Sequence, residues 1–157
     1  MFRMGMIALA IPALIAAGAG TAQASGDLYG AIAEHSDNGI HGASGFGVAV
    51  DYPTQEAANQ AAIEACQQRN SRCTVVLSIQ NECGAAVQGL IQGNILVNNE
   101  VRPIYWFGKG PTATAAQQSA LDGANRILTN NPVMNAGSGQ IVQAPTVLDT
   151  ICTSNAG

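Results

Sequence analysis

Charge is scarce in this sequence. Only 10% of its 157 residues are Asp, Glu, Lys or Arg, and the balance is acidic, −4 at neutral pH. After Arg3, the closest basic pair is Arg69 and Arg72. Nucleic-acid binding needs a basic face to neutralise phosphate, so nucleic acid is excluded as a partner. An anionic membrane surface is disfavoured for the same reason. Aromatics are scarce too: Phe2, Tyr29, Phe46, Tyr52, Tyr105, Trp106 and Phe107 are all there are. The hydrophobic fraction is nevertheless 47%, and alanine carries much of it. A core of alanine and valine buries little area per residue, so each large side chain counts for more. Covalent staples become more useful in such a core. The chain is long enough for one ordinary domain and too short for two.

The N-terminus has its own pattern. "MFRMGMIALAIPALIAAGAGTAQA" opens with Arg3, continues in an apolar run to about Ala17, and closes on Ala22-Gln23-Ala24. A short apolar run ending in small residues reads as a cleaved signal peptide over 1–24. Pro12 and the length of the run argue against a membrane anchor. There is no twin arginine and no cysteine at the cleavage point, so neither Tat export nor lipoprotein anchoring is indicated. No later apolar run is long enough to span a bilayer. The expectation is a single exported domain over 25–157 with no stable membrane insertion after cleavage.

All four cysteines, Cys66, Cys73, Cys83 and Cys152, fall in that domain. Six, nine and sixty-eight residues separate them, which matches no common zinc spacing and contains no C-x-x-C. An even number in a small exported domain points to disulfides. Three connectivities exist. Cys66 falls near the end of a predicted helix and Cys73 at the start of a predicted strand, so that bridge would clip a tight connection. Cys83–Cys152 would then close a long loop, worth roughly 4 kcal/mol in the chain-entropy account. These are the two bridges expected here.

Along the chain, "LYGAIA" and "FGVAVDY" read as strands, with "EHSDNGIHGASG" as the loop between them. Thr54 suits a helix N-cap, and Ala58, Ala61 or Ala62, Ala65 and Cys66 share one helical face. "CTVVLSIQ" reads as a strand with Val75, Leu77 and Ile79 on one side. "AAVQGLI" and "NILVNN" are shorter strand candidates. The segment "TNNPVMNAGSGQIVQAP" is polar, rich in Gly and Asn, and reads as a long mobile loop.

"PTQEAANQAAIEAC" from Pro53 aligns without gaps to "PTATAAQQSALDGA" from Pro111, with six of fourteen positions identical. A strand with aromatics precedes each, and a strand follows each. The pattern implies a duplicated strand–helix–strand unit, roughly 29–100 and 101–153. The fold expected is α+β, with a mainly antiparallel sheet and two alanine-rich helices.

Those residues also carry a resemblance. "LYGAIA", an alanine-rich helix ending in cysteine, "CTV", "NECGAAV", a tryptophan strand, a second alanine-rich helix and a terminal "ICT" together resemble the bacterial domain-of-unknown-function 4189 family. The resemblance implies export, disulfides and a repeat, and it supplies no catalytic residues. The family pattern often has another cysteine at the end of the second helix. Ala124 or Asn125 stands there, which implies one bridge fewer in this chain.

No catalytic, metal or cofactor site emerges. His35, Asp37 and His41 share a glycine-rich loop without regular ligand spacing. Ser44, His41 and Asp51 could be imagined as a triad, but "GASGF" is not G-x-S-x-G. Glu34, Asp37, Asp51 and Glu82 offer carboxylates with nothing to single out a pair. The glycine pair flanking Lys109 matches no phosphate-binding fingerprint. What remains is "IYWFGKG". Alternation puts Tyr105 and Phe107 on one face and Trp106 on the other. Either both faces are core, or one presents an aromatic anchor to a partner. The function expected is a secreted, non-enzymatic interaction protein with an unknown protein partner. The alternatives are a small envelope hydrolase acting on cell-wall glycan or peptide, or an inhibitor of one.

Overall fold

Thr54 and Thr112 start the two helices in the same way. The Thr54 hydroxyl accepts from the Ala57 amide and the Thr112 hydroxyl from the Ala115 amide, each at 3.2 Å. Each hydroxyl satisfies one of the orphan donors of a first turn. Helix α1 (Gln55–Gln67) then buries Ala58, Ala62 and Cys66 completely. Helix α2 (Ala113–Asn130) buries Ala116, Ala120 and Ala124 to the same degree. Four-residue spacing lines these small side chains along one stripe. A stripe that small lets the helix axis come close to a sheet. Glycine meets it from below. A Cβ added at Gly47 would strike the backbone of Ala62 and Cys66, and one at Gly108 would strike that of Ala120.

The computed structural model describes residues 26–35, 45–93, 100–130 and 139–157. Its strands are β1 (Tyr29–His35), β2 (Phe46–Tyr52), β3 (Cys73–Gln80), β4 (Cys83–Gly93), β5 (Val101–Gly110) and β6 (Gly139–Cys152). They form two three-stranded sheets, ordered β2-β1-β3 and β5-β4-β6, and every pairing is antiparallel. The α+β class, the antiparallel pairing and the two alanine-rich helices stand as expected. The sheet is double rather than single, because each half of the chain closes its own.

Each half repeats one plan. A central strand pairs with the next strand, a helix crosses over, and a third strand returns to the other side of the centre. The central strands match in sequence, with Gly30-Ala31 in one and Gly84-Ala85 in the other. Their odd-numbered residues face the helices: Ala31 and Ala33 pack with α1, and Ala85 and Val87 with α2. The strand–helix–strand unit read from the aligned helices therefore lacked its centre. The topology divides the units at Asn81–Glu82, where the alignment had suggested 100–101.

The two sheets meet on their other faces. Ile32 and Ile79 are buried there, and a Cβ on Gly84 would touch Leu77 and Ile79. Phe46 of β2 meets Tyr105 and Phe107 of β5 edge-on, at centroid distances of 4.7 and 5.7 Å. The layers thus run helix, sheet, sheet, helix.

Three sequence expectations need correction. Val75 does not share a side with Leu77 and Ile79. The β1–β3 register shifts between Ile32 and Ala33, so Val76 is an extra residue and Val75 turns to the helix. Such a bulge reverses the alternation. Secondly, "AAVQGLI" is the middle of an eleven-residue strand rather than a short one. Thirdly, the described parts of the expected long loop are regular, and 131–138 lie outside the described residues. Thr129 and Asn130 end α2, and Gly139 to Pro145 begin β6. The ladder of β4 supplies hydrogen bonds to that segment, which its polar composition did not reveal. "NILVNN" lies outside the described residues, as do 1–25.

Candidate functional site

Both disulfides are the expected pairs. Cys66–Cys73 ties the last turn of α1 to the first residue of β3, with Cα atoms 6.1 Å apart. Cys83–Cys152 joins directly opposed residues of β4 and β6, with Cα atoms 4.0 Å apart. It locks the outer strand of the second sheet to its centre.

A polar tie sits beside that second bridge. Thr153 donates its amide to the Glu82 carbonyl, and Ser154 donates to Asp51 Oδ1 at 2.6 Å. Asn81 Oδ1 accepts from Leu28 N and from Asn155 Nδ2, while Asn81 Nδ2 donates to Asp27. Asp51 and Asn81 both have positive φ, at 65° and 53°. Asn and Asp tolerate that region better than most residues do. Here their side chains hold the segment that follows β6 against both units.

This tie bears on the carboxylate candidates. Asp51 is engaged with the Ser154 amide, and Glu82 pairs with Lys109 at 2.8 Å. Glu34 lies opposite Phe46 in the β1–β2 register, whereas Asp51 neighbours the Tyr29–Tyr52 pair at the other end. Five residues of strand separate those rows, about 17 Å. That distance is too great for two carboxylates flanking one glycosidic bond. His35 is buried, and its Nδ1 lies 2.9 Å from the Arg72 carbonyl. A carbonyl can only accept, so Nδ1 carries the proton. Asp37, His41 and Ser44 lie outside the described residues. Among the described residues no group of three His, Cys, Asp or Glu could hold a metal ion.

The aromatic cluster is interior. Trp106 is 7% exposed and packs in the core that α2 covers, with Val87, Ala116, Ala120 and Leu128. Tyr105 and Phe107 are half-buried against Phe46 between the sheets. Of the three aromatic residues considered as partner contacts, Trp106 is the one that offers no ring. A helix covers one face of β5 and a sheet covers the other.

Burial raises the Tyr105 phenol above its ordinary 10.0. The Gln88 hydrogen bond works against that rise, and the Glu34 charge adds to it. A phenol held neutral in the fold contributes stability that is complete below the unfolded pKa. That stability is lost as pH rises through the folded value. With Tyr29 and Tyr52 replaced by Phe, ultraviolet titration is expected to give a phenolate midpoint above 10.0. Glu34→Gln should lower it without removing the rise, since burial is the larger cause. A midpoint at or below the ordinary value would refute this environment for Tyr105.

The exposed apolar surface lies elsewhere. Among the described residues, β6 carries Ile141, Val142, Val147 and Leu148, each 41–49% exposed. No charged residue occurs from Gly139 to Leu148. The β4–β6 register shifts three times, and Pro145 sits within the strand. Bulges and proline both blunt an outer strand against pairing with another chain. The strand is therefore built to present side chains rather than backbone. Sequence reading missed it, although an uncharged "QIVQ" and "TVL" were visible signals.

The family model described as Domain of unknown function (DUF4189) matches residues 29–132, from the start of β1 to just beyond α2. No curated protein matches the chain, and no solved structure does. Among the described residues no helix is long and apolar enough to cross a membrane.

Proposed function

The chain belongs to the DUF4189 family, and we propose that it is an exported, non-catalytic protein that binds a protein partner in the cell envelope or on another cell. The observation that carries this reading is the set of four half-exposed aliphatic side chains on the single strand β6. Exposed apolar side chains gathered on one strand are a common mark of a docking surface. The disulfide at Cys83–Cys152 and the polar tie beyond it keep that strand in place, so its side chains are presented at little entropic cost. Export is supported by the A-x-A ending near Ala24 and by two disulfides, which persist in oxidising compartments.

The test is affinity capture by oxidised protein spanning 25–157 from envelope and host-cell fractions, read by mass spectrometry. A Val147→Asp/Leu148→Asp variant is run in parallel. Both positions are exposed, so the variant should keep the fold while losing the apolar surface. One protein retained by the parent and lost by the variant is the expected result. Retention of nothing, or of the same proteins by both, would overturn the proposal.

A further inference from the structure

The backbone crosses between the two units once, through Asn81 and Glu82, the two residues between β3 and β4. Neither disulfide spans that link: Cys66–Cys73 closes within the first unit and Cys83–Cys152 within the second. Each unit also has its own sheet, helix and core. The surfaces that hold the units together include Phe46 against Tyr105 and Phe107, and Ile79 against Gly84. They would fit equally well between the first unit of one chain and the second unit of another. Such an exchange re-forms the contacts between units and changes only the link.

Asn81 ties the link to one conformation. Its φ is 53°, and its backbone amide donates to the Leu28 carbonyl at 2.9 Å. Its side chain accepts from the Leu28 amide at 2.8 Å and from Asn155 Nδ2 at 2.6 Å, and donates to Asp27 Oδ1 at 2.7 Å. Turning φ to the extended region would rotate Cβ about the N–Cα bond and carry the side-chain amide off these partners. We infer that Asn81 is a closure lock: it holds the link turned, and so selects the single-chain form over a dimer in which two copies exchange their second units. In the exchanged form, β3 and β4 run on through an extended link. Asparagine suits the lock because it enters the left-handed region readily and carries donor and acceptor on a short side chain. The Ser154 amide on Asp51 also joins the units. That bond lies outside the link, re-forms in the dimer and does not discriminate between the two states.

The test is analytical ultracentrifugation of the oxidised protein spanning 25–157, refolded from denaturant over a series of concentrations with its disulfides intact. The parent should be monomeric. Asn81→Val loses the side-chain bonds and resists positive φ. A roughly tenfold loss of closure preference at each link, with two links per dimer, should raise its association constant about a hundredfold. Asn81→Gly keeps access to positive φ and should show a smaller rise. Asp51→Gly also keeps that access, loses the Ser154 bond and should stay monomeric. In Asn81→Val dimers refolded from mixed labelled and unlabelled chains, isotope-filtered NMR should find the Phe46–Tyr105 contact between chains. A dimeric parent, a monomeric Asn81→Val, equal dimerisation of Asp51→Gly, or a Phe46–Tyr105 contact confined to one chain would each overturn the inference. If circular dichroism shows Asn81→Val unfolded, Asn81→Gly decides, and association no stronger than the parent's refutes the lock.

Discussion

Replacing Cys83 and Cys152 together by alanine is expected to lower unfolding stability by about 4 kcal/mol, the chain-entropy value for a closed loop of this length. The bridge spans a sequence separation of 69. The same substitution at Cys66 and Cys73, separated by 7, should cost only about 2 kcal/mol on the same scale. Alanine is preferable to serine, since Cys83 is 2% exposed and sits in the α2 core. A serine hydroxyl there would add its own desolvation cost. The comparison isolates the role of the loop, because both variants lose one covalent bond. Denaturant unfolding at constant pH would measure it. Equal losses for the two pairs would refute the account. A larger loss from Cys66 and Cys73 would place the weak point in the first sheet. The expected ordering also has a local signature. Without the bridge, β6 is held by an irregular ladder, by a hydrogen bond from Gln117 of α2 to Thr150, and by the tie at Glu82, Asp51 and Asn81. Amide exchange should therefore accelerate first along β6 and in residues 153–156.

The disulfides were legible because the sequence contained several independent cues that agreed. Four cysteines, an even number with no zinc or C-x-x-C spacing, one at a helix end and one at a strand start, left little freedom. The helices were legible for a similar reason, since Thr54 and Thr112 marked their starts and alanines recurred every four residues. The central strands were legible as strands but not as sheet centres. Where β1 and β4 are covered on both faces, by a helix on one side and a sheet on the other, they show small residues instead of polar alternation. "YGAIA" and "CGAAV" correspond position by position, but their composition carries no mark of a sheet centre. β6 hid itself differently. Its three register shifts break the period of two on which strand recognition depends, and Gly139, Pro145 and the glutamines suggested a loop. The candidate contact surface was therefore missed with the strand that bears it. Histidines and carboxylates formed no constellation in the sequence, where nothing singled out a pair. The register separated Glu34 from Asp51, a distance that no local pattern encodes.

Trp106 poses the sharpest contrast between sequence reading and structure. Alternation placed it opposite Tyr105 and Phe107 but could not say what lay above it. In the fold it is the largest side chain in a core otherwise built of alanine, valine, leucine and cysteine, 7% exposed. Its ring also approaches Gly89, where a Cβ would lie 3.1 Å from the indole. Trp106→Ala is therefore expected to cost about 3–5 kcal/mol, the range for removing a buried aromatic. The surrounding alanines have no spare atoms with which to fill the cavity. Native stability is typically about 5–15 kcal/mol in total, so the variant should unfold at a much lower denaturant midpoint. Trp106→Phe should recover part of the loss, because it restores ring volume without the indole nitrogen. A surface anchor would behave in the opposite way: its removal would leave the midpoint unchanged and abolish partner retention. An unchanged midpoint for Trp106→Ala would thus return Trp106 to the surface and undo the packing of α2 on the second sheet. A lowered midpoint has a practical consequence for partner capture. Loss of binding by a Trp106 variant would then report unfolding rather than contact, and the exposed residues of β6 become the proper probes.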